Sequence, residues 1–486
     1  MRRRLLPLLH VLGLVIMLFS LTMLLPLAVG QWYGDAARSC YDESLVVTFV
    51  AGGLLWFVMR RFRRELQARD GFLLVSLVWT VLPAFATLPL LFYLPGLSFT
   101  DAYFETVSGI TTTGATVLSY IDTLPPSINL WRCELVWLGG MGLIVLAVAI
   151  LPLLGVGGMQ LYKAELPGPM KDAKLTPRIT ETAKGLWLVY CVITAACVIA
   201  YWLAGMNWFD ALCHAFSTMG LGGFSTHDAS FGYFNSPAIE AVAVIFMLIA
   251  GINFASHFMA WRGRSLKVYV TDPEAGMFLL VTLGSALAIA CYLRYTLTYS
   301  DFWTALRYSV FNTVSIATTT GFSSTNYGLW PMFAPLWMLF LCCFASSAGS
   351  TGGGIKMIRA RLLFRQAARE LVRLIHPQAQ LPVKIKQQAL PDTIVFAVLG
   401  FVSIYLAVML FATFLLLLSG LDLVSAFSAV IACMNNTGPG LEQVGPATTY
   451  AGLDNFQIWV LTISMLLGRL EFFTLLIVFT PGFWRR

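Results

Sequence analysis

An eleven-residue pattern occurs twice in this chain, beginning once at Phe104 and again at Phe311. Both copies read Phe-x-Thr-Val-Ser-x-x-Thr-Thr-Thr-Gly without insertion or deletion. A single Thr-Thr-Thr-Gly run could be a polar turn between helices, but two copies in one register indicate an internal repeat. Any fold of this chain must therefore provide equivalent places for polar segments that end in glycine.

Composition places these polar segments in a membrane protein. Of the 486 residues, 58% are hydrophobic and only 11% are charged, whereas soluble domains carry roughly 25% charged residues. Several apolar runs reach the length of about 20 residues that a membrane span requires. Backbone groups in lipid must be bonded within the protein, so the spans are predicted to be helices; the alternating pattern of a barrel is absent.

No enzyme and no organic cofactor are predicted. The nine cysteines show no CxxC pair or metal-ligand spacing, and the five histidines are scattered. A membrane enzyme or redox subunit would need paired histidines for haem, a carboxylate pair or a nucleophile with its base, and none occurs at a workable spacing. A receptor or scaffold without transport is also disfavoured, because the repeated segments would then have no purpose.

Clusters of basic residues predict the topology, since positive charge marks the cytoplasmic side of a membrane protein. All clusters can be cytoplasmic only if an even number of crossings separates neighbouring clusters. The first apolar run, residues 5–29, is longer than the roughly 7–15-residue core of a signal peptide, which favours a retained helix. The alternative that some apolar runs are surface helices is opposed by the charge alternation. The basic clusters lie at residues 2–4, 60–64, 163–184, 262–267, 359–386 and 485–486.

This pattern predicts ten transmembrane helices with both termini in the cytoplasm. Two form an N-terminal leader, and the other eight form four pairs, each with an outgoing and a returning helix. The leader spans are expected at residues 5–29 and 44–59, the outgoing helices at 71–94, 185–204, 275–295 and 393–418, and the returning helices at 130–154, 238–260, 331–348 and 455–480.

A Thr/Gly-rich segment separates the two helices of each pair and is too short and polar to cross the membrane. About ten residues of helical character lead into each glycine-rich end, which predicts a re-entrant pore helix followed by extended backbone. Irregular backbone at membrane depth is tolerated only where protein or a water-filled path surrounds it. The third and fourth copies are residues 210–224 and the more diverged 428–438.

The predicted fold is an all-α membrane protein with four helix–pore loop–helix repeats in a pseudo-four-fold arrangement. The two-helix leader covers residues 1–70, and the repeats cover 71–162, 163–270, 271–386 and 387–486. The third repeat includes a glycine-rich gate loop and a basic cytoplasmic segment. Four glycines are expected to meet at one axis, namely Gly114, Gly223, Gly321 and Gly438.

Four such loops around an axis could replace the hydration shell of a cation. Rings of backbone carbonyls supply the oxygens, and glycine permits the backbone angles that aim them inward. Pore helices whose C-terminal ends face the centre add partial negative charge. The predicted ion-lining residues are Thr112, Thr113, Gly114, Leu221, Gly222, Gly223, Thr319, Thr320, Gly321, Asn436, Thr437 and Gly438.

The sequence resembles the Trk/Ktr/HKT superfamily of potassium transporters, and within it the bacterial TrkH-type subunit. The resemblance covers nearly the whole chain, including the four loops and the ten-helix pattern. It implies potassium uptake across the bacterial cytoplasmic (inner) membrane, a homodimer, and a cytoplasmic nucleotide-binding ring of TrkA type that gates the pore. The remaining motifs that carry it are residues 163–178, 349–356 and 468–471.

Ion choice and coupling stay open at this point. Superfamily members with serine in the first loop tend to pass sodium, whereas all four positions here are glycine, which favours potassium. The alternatives are a sodium- or ammonium-permeable pore and a proton- or sodium-coupled potassium symporter. Alternating-access carriers commonly show inverted repeats; these repeats are parallel, which favours a fixed filter with a gate. The superfamily has been described both as channels and as ion-coupled transporters.

Six small residues interrupt the third predicted returning helix. They do not form a phosphate-binding loop, which would need Gly-Lys-Ser/Thr opening a helix after a strand. The run is either a plain helix break at the membrane boundary or a flexible gate below the filter, since small residues cost little to rearrange. These residues are Gly349, Ser350, Thr351, Gly352, Gly353 and Gly354.

Several charged residues have two interpretations. An arginine at mid-membrane is costly and usually faces a cavity or a partner, so Arg469 pairs with Glu471 or a helix end, or forms an electrostatic barrier beside the pore, as the resemblance implies. Glu105 either attracts cations to the pore mouth or makes structural hydrogen bonds. The basic residues of 359–386 and 163–184 either contact anionic lipid or dock the cytoplasmic partner. No nucleic-acid partner is expected.

Overall fold

The computed structural model describes residues 2–62, 68–145, 179–385 and 388–484. Over these residues the chain is helical apart from one two-residue antiparallel pair, in which Lys384 pairs with Ala389 and Ile385 with Gln388. The predicted all-α membrane fold is confirmed at this level. The two strands are β1 (Lys384–Ile385) and β2 (Gln388–Ala389).

The helices fall on either side of residues 146–178. Before that range lie α1 (Arg2–Ser20), α2 (Leu24–Tyr33), α3 (Arg38–Met59), α4 (Ala68–Ala86), α5 (Leu88–Tyr93), α6 (Phe99–Ile110) and α7 (Pro126–Val145). After it lie α8 (Ile179–Leu203), α9 (Trp208–Gly220), α10 (Pro237–Ala250), α11 (Phe254–Gly263), α12 (Lys267–Thr271), α13 (Ala275–Tyr295) and α14 (Phe302–Ala317). The last are α15 (Phe333–Cys342), α16 (Met357–Ile375), α17 (Asp392–Leu418), α18 (Leu423–Met434), α19 (Asn455–Arg469), α20 (Phe473–Leu476) and α21 (Pro481–Trp484).

Six helices or helix runs within the described ranges are long and apolar enough to span a membrane, or seven if one bent pair is a single span. They lie where the sequence predicts the two leader spans and the four outgoing helices. The six are Leu5–Tyr33, Arg38–Phe62, Asp70–Tyr93, Ala183–Leu203, Ala275–Tyr295 and Asp392–Leu418.

Three of the four predicted returning helices are less regular than expected, and the predicted end of the first, residues 146–154, lies outside the described residues. The second is bent by 91° between α10 and α11. The third ends at Cys342 instead of residue 348, and the fourth ends at Arg469 and continues only as short turns. At the bend, the carbonyl of Gly251 accepts a hydrogen bond from the Ser347 backbone N–H at 3.1 Å, and the Phe254 N–H donates to the Gly349 carbonyl at 3.0 Å. The break is thus stabilised because a distant segment satisfies the backbone groups that it frees.

Four short helices, α6, α9, α14 and α18, lead into the Thr/Gly-rich segments. Each begins at a residue whose side chain accepts a hydrogen bond from a backbone N–H of the first turn, which is the usual N-cap arrangement. We call them the four capped helices. The capping residues are Ser98, Asn207, Asp301 and Asp422.

The centre of the protein is polar although the chain is apolar. The threonines and asparagines that follow α6, α14 and α18 are fully buried and surrounded by the capped helices and their neighbours. Buried polar groups need internal partners, so this centre requires an ordered network. The residues concerned are Thr111, Thr112, Thr113, Thr318, Thr319, Thr320, Asn435, Asn436 and Thr437.

Close helix contact at the first capped helix depends on Gly139 of α7. A β-carbon added there would lie 1.9 Å from the carbonyl oxygen of Ile110 at the end of α6. We predict that Gly139→Ala lowers the free energy of unfolding by about 1–3 kcal/mol, the usual cost of overpacking. Thermal melting of the purified protein in detergent measures the change.

The matched control is Gly142→Ala in the same helix, where the nearest atom would be 3.6 Å away. It should melt at or slightly above the temperature of the unmodified protein, because alanine favours helix. Equal melting temperatures for the two variants would contradict the prediction.

Candidate ion pathway

The four glycines predicted to meet at one axis lie together in a closed ring. At each glycine, the space that a β-carbon would need is occupied by a carbonyl oxygen of the next Thr/Gly-rich segment along the chain. At the glycine of the fourth segment, that oxygen belongs to the first segment, which closes the ring. The distances from such a β-carbon are 2.1 Å at Gly114 to Gly222 O, 2.3 Å at Gly223 to Thr320 O, 2.1 Å at Gly321 to Thr437 O and 2.6 Å at Gly438 to Thr113 O. We call these four segments the glycine ring.

A cavity on one side of the glycine ring is lined by all four glycines. Thr116, Arg132, His227 and Asp228 also line it. Because a single cavity touches every segment of the ring, the four segments face a common space.

The ring segments share one backbone pattern. Each glycine has a positive φ angle, between 63° and 99°, and so does the residue two places earlier, between 55° and 62°. The intervening residue does not. Successive carbonyls of an ordinary strand alternate between its two faces; alternating signs of φ turn successive carbonyls toward the same face. The residues two places earlier are Thr112, Leu221, Thr319 and Asn436.

Side chains connect the ring segments behind the backbone. The Thr111 and Thr113 hydroxyls lie 2.8 Å apart, and the amide of Asn436 donates to the Thr113 hydroxyl at 3.0 Å, which joins the fourth segment to the first. The Gly438 carbonyl accepts a hydrogen bond from the Tyr450 hydroxyl at 2.7 Å. In the described part of the chain, the buried hydroxyls of Thr112 and Thr437 have no hydrogen-bond partner. These oxygens are therefore available to another ligand.

The small-residue segment, residues 349–354, lies between α15 and α16 and is not helical. Thr351 Oγ1 donates to the carbonyl of Met219 in α9 at 3.0 Å, and the Gly353 N–H donates to Thr319 Oγ1 at 2.8 Å. A β-carbon on Gly353 would lie 2.0 Å from the Asn435 carbonyl oxygen. The segment thus contacts the C-terminal ends of three of the four capped helices.

Charged residues fix both ends of the small-residue segment. One carboxylate oxygen of Glu274 accepts hydrogen bonds from the Ala348 N–H at 3.2 Å and the Ile358 N–H at 2.9 Å. Lys356, which is buried, donates through Nζ to the Gly352 carbonyl. These contacts hold the segment at both of its ends.

Arg469 contacts the small-residue segment and is 2% exposed. Its Nη1 donates to the Thr351 carbonyl at 2.9 Å, and its Nη2 donates to the Gly139 carbonyl at 3.1 Å. The expected alternative of pairing with Glu471 is not found: Glu471 pairs with Arg359 at 2.9 Å. The guanidinium thus connects α19, the small-residue segment and α7.

Some of the basic side chains of helix α16 make contacts within the chain. Arg361 Nη1 donates to the Pro273 carbonyl at 2.8 Å, and Arg369 Nη1 pairs with Asp392 at 2.7 Å. The other basic stretch, residues 163–184, has the same two interpretations. Its residues 163–178 lie outside the described part of the chain.

His227 joins two outer loops close to the glycine ring. Its Nδ1 contacts Asp122 Oδ1 at 2.5 Å, its Nε2 lies 3.3 Å from Asp210 Oδ2, and its ring stacks on Tyr233 with centroids 3.5 Å apart. Burial lowers the pKa of His227, but hydrogen bonds and charge from Asp210 and Asp122 outweigh burial, so the pKa is raised above its usual value. Protonation of His227 is therefore more favourable in the folded protein than in the unfolded chain.

Comparison with known proteins identifies the family. The model of the TrkH family, which is described as "Cation transport protein", matches residues 41–485. The chain belongs to the TrkH family. The Trk system potassium uptake protein TrkH of Salmonella typhimurium is 49% identical over 477 residues, which cover 98% of each chain. The Vibrio parahaemolyticus protein of the same name is 50% identical over 485 residues, again covering 98% of each.

The fold agrees with that of a TrkH-family member of known structure. The crystal structure of the potassium transporter TrkH from Vibrio parahaemolyticus has a TM-score of 0.91 and 46% identity, covering 99% of this chain and 100% of that one. These TrkH-family relatives are named as transport proteins, in agreement with the prediction of no enzyme. Their family and the apolar helices together make this chain a multi-pass membrane transport protein.

Sequence reasoning missed four charged residues of the site, Glu274, Lys356, Arg132 and His227. Their charge in an apolar setting was the available signal. The sequence leaves two interpretations open for Glu105. It is 1% exposed and hydrogen-bonded to Thr116 and Val117, which favours the structural one.

The His227 contacts predict a pH dependence of stability. A histidine whose folded pKa is raised stabilises the fold below its unfolded pKa of about 6.5, and this contribution is lost as pH rises through the folded pKa. We predict that the melting temperature of the unmodified protein falls as the pH rises from about 6.5 through the folded pKa of His227. His227→Gln should remove this part of the pH dependence. His376→Gln, at an exposed position after α16, serves as the control. If the melting temperatures of the unmodified protein and of His227→Gln change with pH by the same amount, the prediction is contradicted.

Proposed function

We propose that this chain conducts potassium into the cell through the glycine ring, which acts as a selectivity filter. The closed ring of four segments carries this proposal, because it provides backbone oxygens from four sides of one space. Such oxygens can replace the hydration shell of a cation. The names of the relatives, potassium uptake proteins and a potassium transporter, support potassium as the ion. Potassium is thus the cargo, and no organic cofactor is proposed.

The ion path follows from the arrangement around the ring. The capped helices end at the ring, so their C-terminal carbonyls place partial negative charge there and favour a cation. The unpartnered hydroxyls of Thr112 and Thr437 add oxygens next to the backbone. The full set of twelve predicted residues, three from each segment, is proposed to line the filter.

The overall architecture that we propose is ten transmembrane helices with four repeats in pseudo-four-fold arrangement after the leader. The repeats have the boundaries predicted from the sequence, and both termini are cytoplasmic in a bacterial inner membrane. Six candidate spans at the predicted positions and four capped helices of similar placement support this arrangement.

The small-residue segment is proposed as the gate, and Arg469 as an electrostatic barrier beside it. The segment contacts the ends of three capped helices, so a movement there can open or close the path next to the filter. We also propose a homodimer and a cytoplasmic regulatory partner of TrkA type. The name "Trk system" of the relatives supports the existence of partner proteins. Flux measurements with and without a proton or sodium gradient distinguish channel conduction of potassium from proton- or sodium-coupled symport.

We predict that Gly321→Ala strongly lowers potassium uptake. Its φ is +90°, and the added β-carbon would lie 2.1 Å from the Thr437 carbonyl oxygen. Uptake of rubidium in an uptake-deficient bacterium should fall by about tenfold or more, since a tenfold change corresponds to only ~1.4 kcal/mol at the barrier. Immunoblots of membranes check that the variant is inserted.

Gly420→Ala is the matched control for backbone strain. Its φ is +92°, but no atom lies within 4 Å of the added β-carbon. Uptake by this variant should stay close to that of the unmodified protein. If both variants lose uptake equally, strain and not the glycine ring explains the loss. If sodium or ammonium is taken up as well as rubidium, the potassium-selective filter is contradicted.

We predict that Arg469→Gln increases potassium flux or weakens its regulation. The change removes the positive charge beside the proposed gate, whereas Arg469→Lys keeps it. Flux into proteoliposomes should rise severalfold for the glutamine variant and stay near the original value for the lysine variant. Unchanged flux in the glutamine variant would contradict a barrier.

A further inference from the structure

In every segment of the glycine ring, one polar side chain of the capped helix holds the chain beyond the glycine. We call these four contacts the braces. The side chain lies nine residues before the glycine in the first three segments and ten before it in the fourth, and its partner lies two or three residues after the glycine. The braces are Glu105 Oε2 to Val117 N at 3.0 Å, His214 Nε2 to Ser225 Oγ at 2.9 Å, Asn312 Oδ1 to Ser324 N at 3.2 Å and Ser428 Oγ to Leu441 N at 2.9 Å.

The braces have nearly the same position in each segment but four different functional groups: carboxylate, imidazole, amide and hydroxyl. All four side chains are at most 1% exposed, so each is bound away from solvent. A contact that spans the glycine fixes both ends of the ring segment, and the carbonyls between the ends cannot then shift outward independently. The braces therefore keep the ring at one width.

Only the first brace is ionic, and it reaches a second ring segment. Arg132 of α7 pairs through Nε with Glu105 Oε1 at 2.9 Å, and both side chains are 1% exposed. Its Nη1 donates to the Ser225 carbonyl at 3.1 Å, in the second segment. Its guanidinium lies 4.3 Å from the centroid of the Phe224 ring.

The carboxylate of Glu105 is fully used by these contacts. Besides Val117 and Arg132, it accepts a hydrogen bond from Thr116 Oγ1 at 3.0 Å, and Arg132 Nη2 reaches the same hydroxyl at 3.3 Å. Glu105 is thus directed at its own loop and at Arg132 and has no capacity left to bind a passing ion. Glu105 can therefore act on ions through the positions of the ring carbonyls.

We propose that Glu105 and Arg132 are positioning residues for ion selection, which fix the first and second ring segments relative to each other. This inference rests on the proposed function of the ring as a potassium filter. If the pair is broken, these two segments can move, and carbonyls can approach the smaller sodium ion. The pair then determines the ratio of potassium to sodium flux, while other contacts keep the protein folded.

The test is the ratio of potassium to sodium flux into proteoliposomes for Glu105→Gln, Arg132→Met and the double variant. Each single change leaves one buried charge without its partner, which is more damaging than removal of both. We expect the ratio to fall by about tenfold, equivalent to ~1.4 kcal/mol, in both single variants. The double variant should also have a lowered ratio, because methionine cannot donate to Ser225.

Glu240→Gln is the matched control, since Glu240 pairs with Arg307 at 2.7 Å away from the ring and is itself buried. It should lower the melting temperature without changing the flux ratio. Arg132→Lys keeps the charge but cannot make all the guanidinium contacts, so it should recover the ratio only in part.

The outcomes separate this inference from the proposed function. If the unmodified protein passes no potassium above empty liposomes, the proposed function fails. If it is selective and the folded variants keep its ratio within about twofold, or ~0.4 kcal/mol, the positioning role is overturned. If the single variants do not fold, the double variant decides: an unchanged ratio overturns the inference, and a lowered ratio with intact potassium flux supports it.

Discussion

The structure depends on the contact between each ring glycine and the carbonyl of the next segment. At Gly114 and Gly321 a β-carbon would approach the neighbouring oxygen to 2.1 Å, so the four segments can close only if these positions lack a side chain. Such close approach brings polar backbone to the centre of an apolar protein, where it must be supported. The capped helices, the threonine network and the braces provide this support.

The region next to the ring follows from the same constraint. The small-residue segment can lie against the ends of the capped helices because Gly353 has no β-carbon to collide with Asn435. Arg469 and Lys356 bring positive charge to this segment and donate to its carbonyls. The ring segments thus face a common space, and the small-residue segment is held against the helix ends beside them.

The sequence predicted the ring because its signal is local and repeated. Register alone identified Gly114 and Gly321, and the third copy, residues 210–224, extended the pattern to Gly223. What it could not predict depends on partners far apart in sequence. The bend after Ala250 is stabilised by Ser347 and Gly349, and Glu105 meets Arg132 only when α7 packs on α6. A helical period carries no information about such contacts, so the second returning helix was expected to be continuous.

Anomalous diffraction from crystals grown with rubidium or thallium would locate the ion sites of the glycine ring. Both ions substitute for potassium, and their positions are visible without interpretation of weak density. If the glycine ring is the filter, anomalous peaks lie in its common space and are surrounded by oxygens from all four segments. Peaks that lie only elsewhere, with the ring unoccupied at saturating ion concentration, would contradict this role.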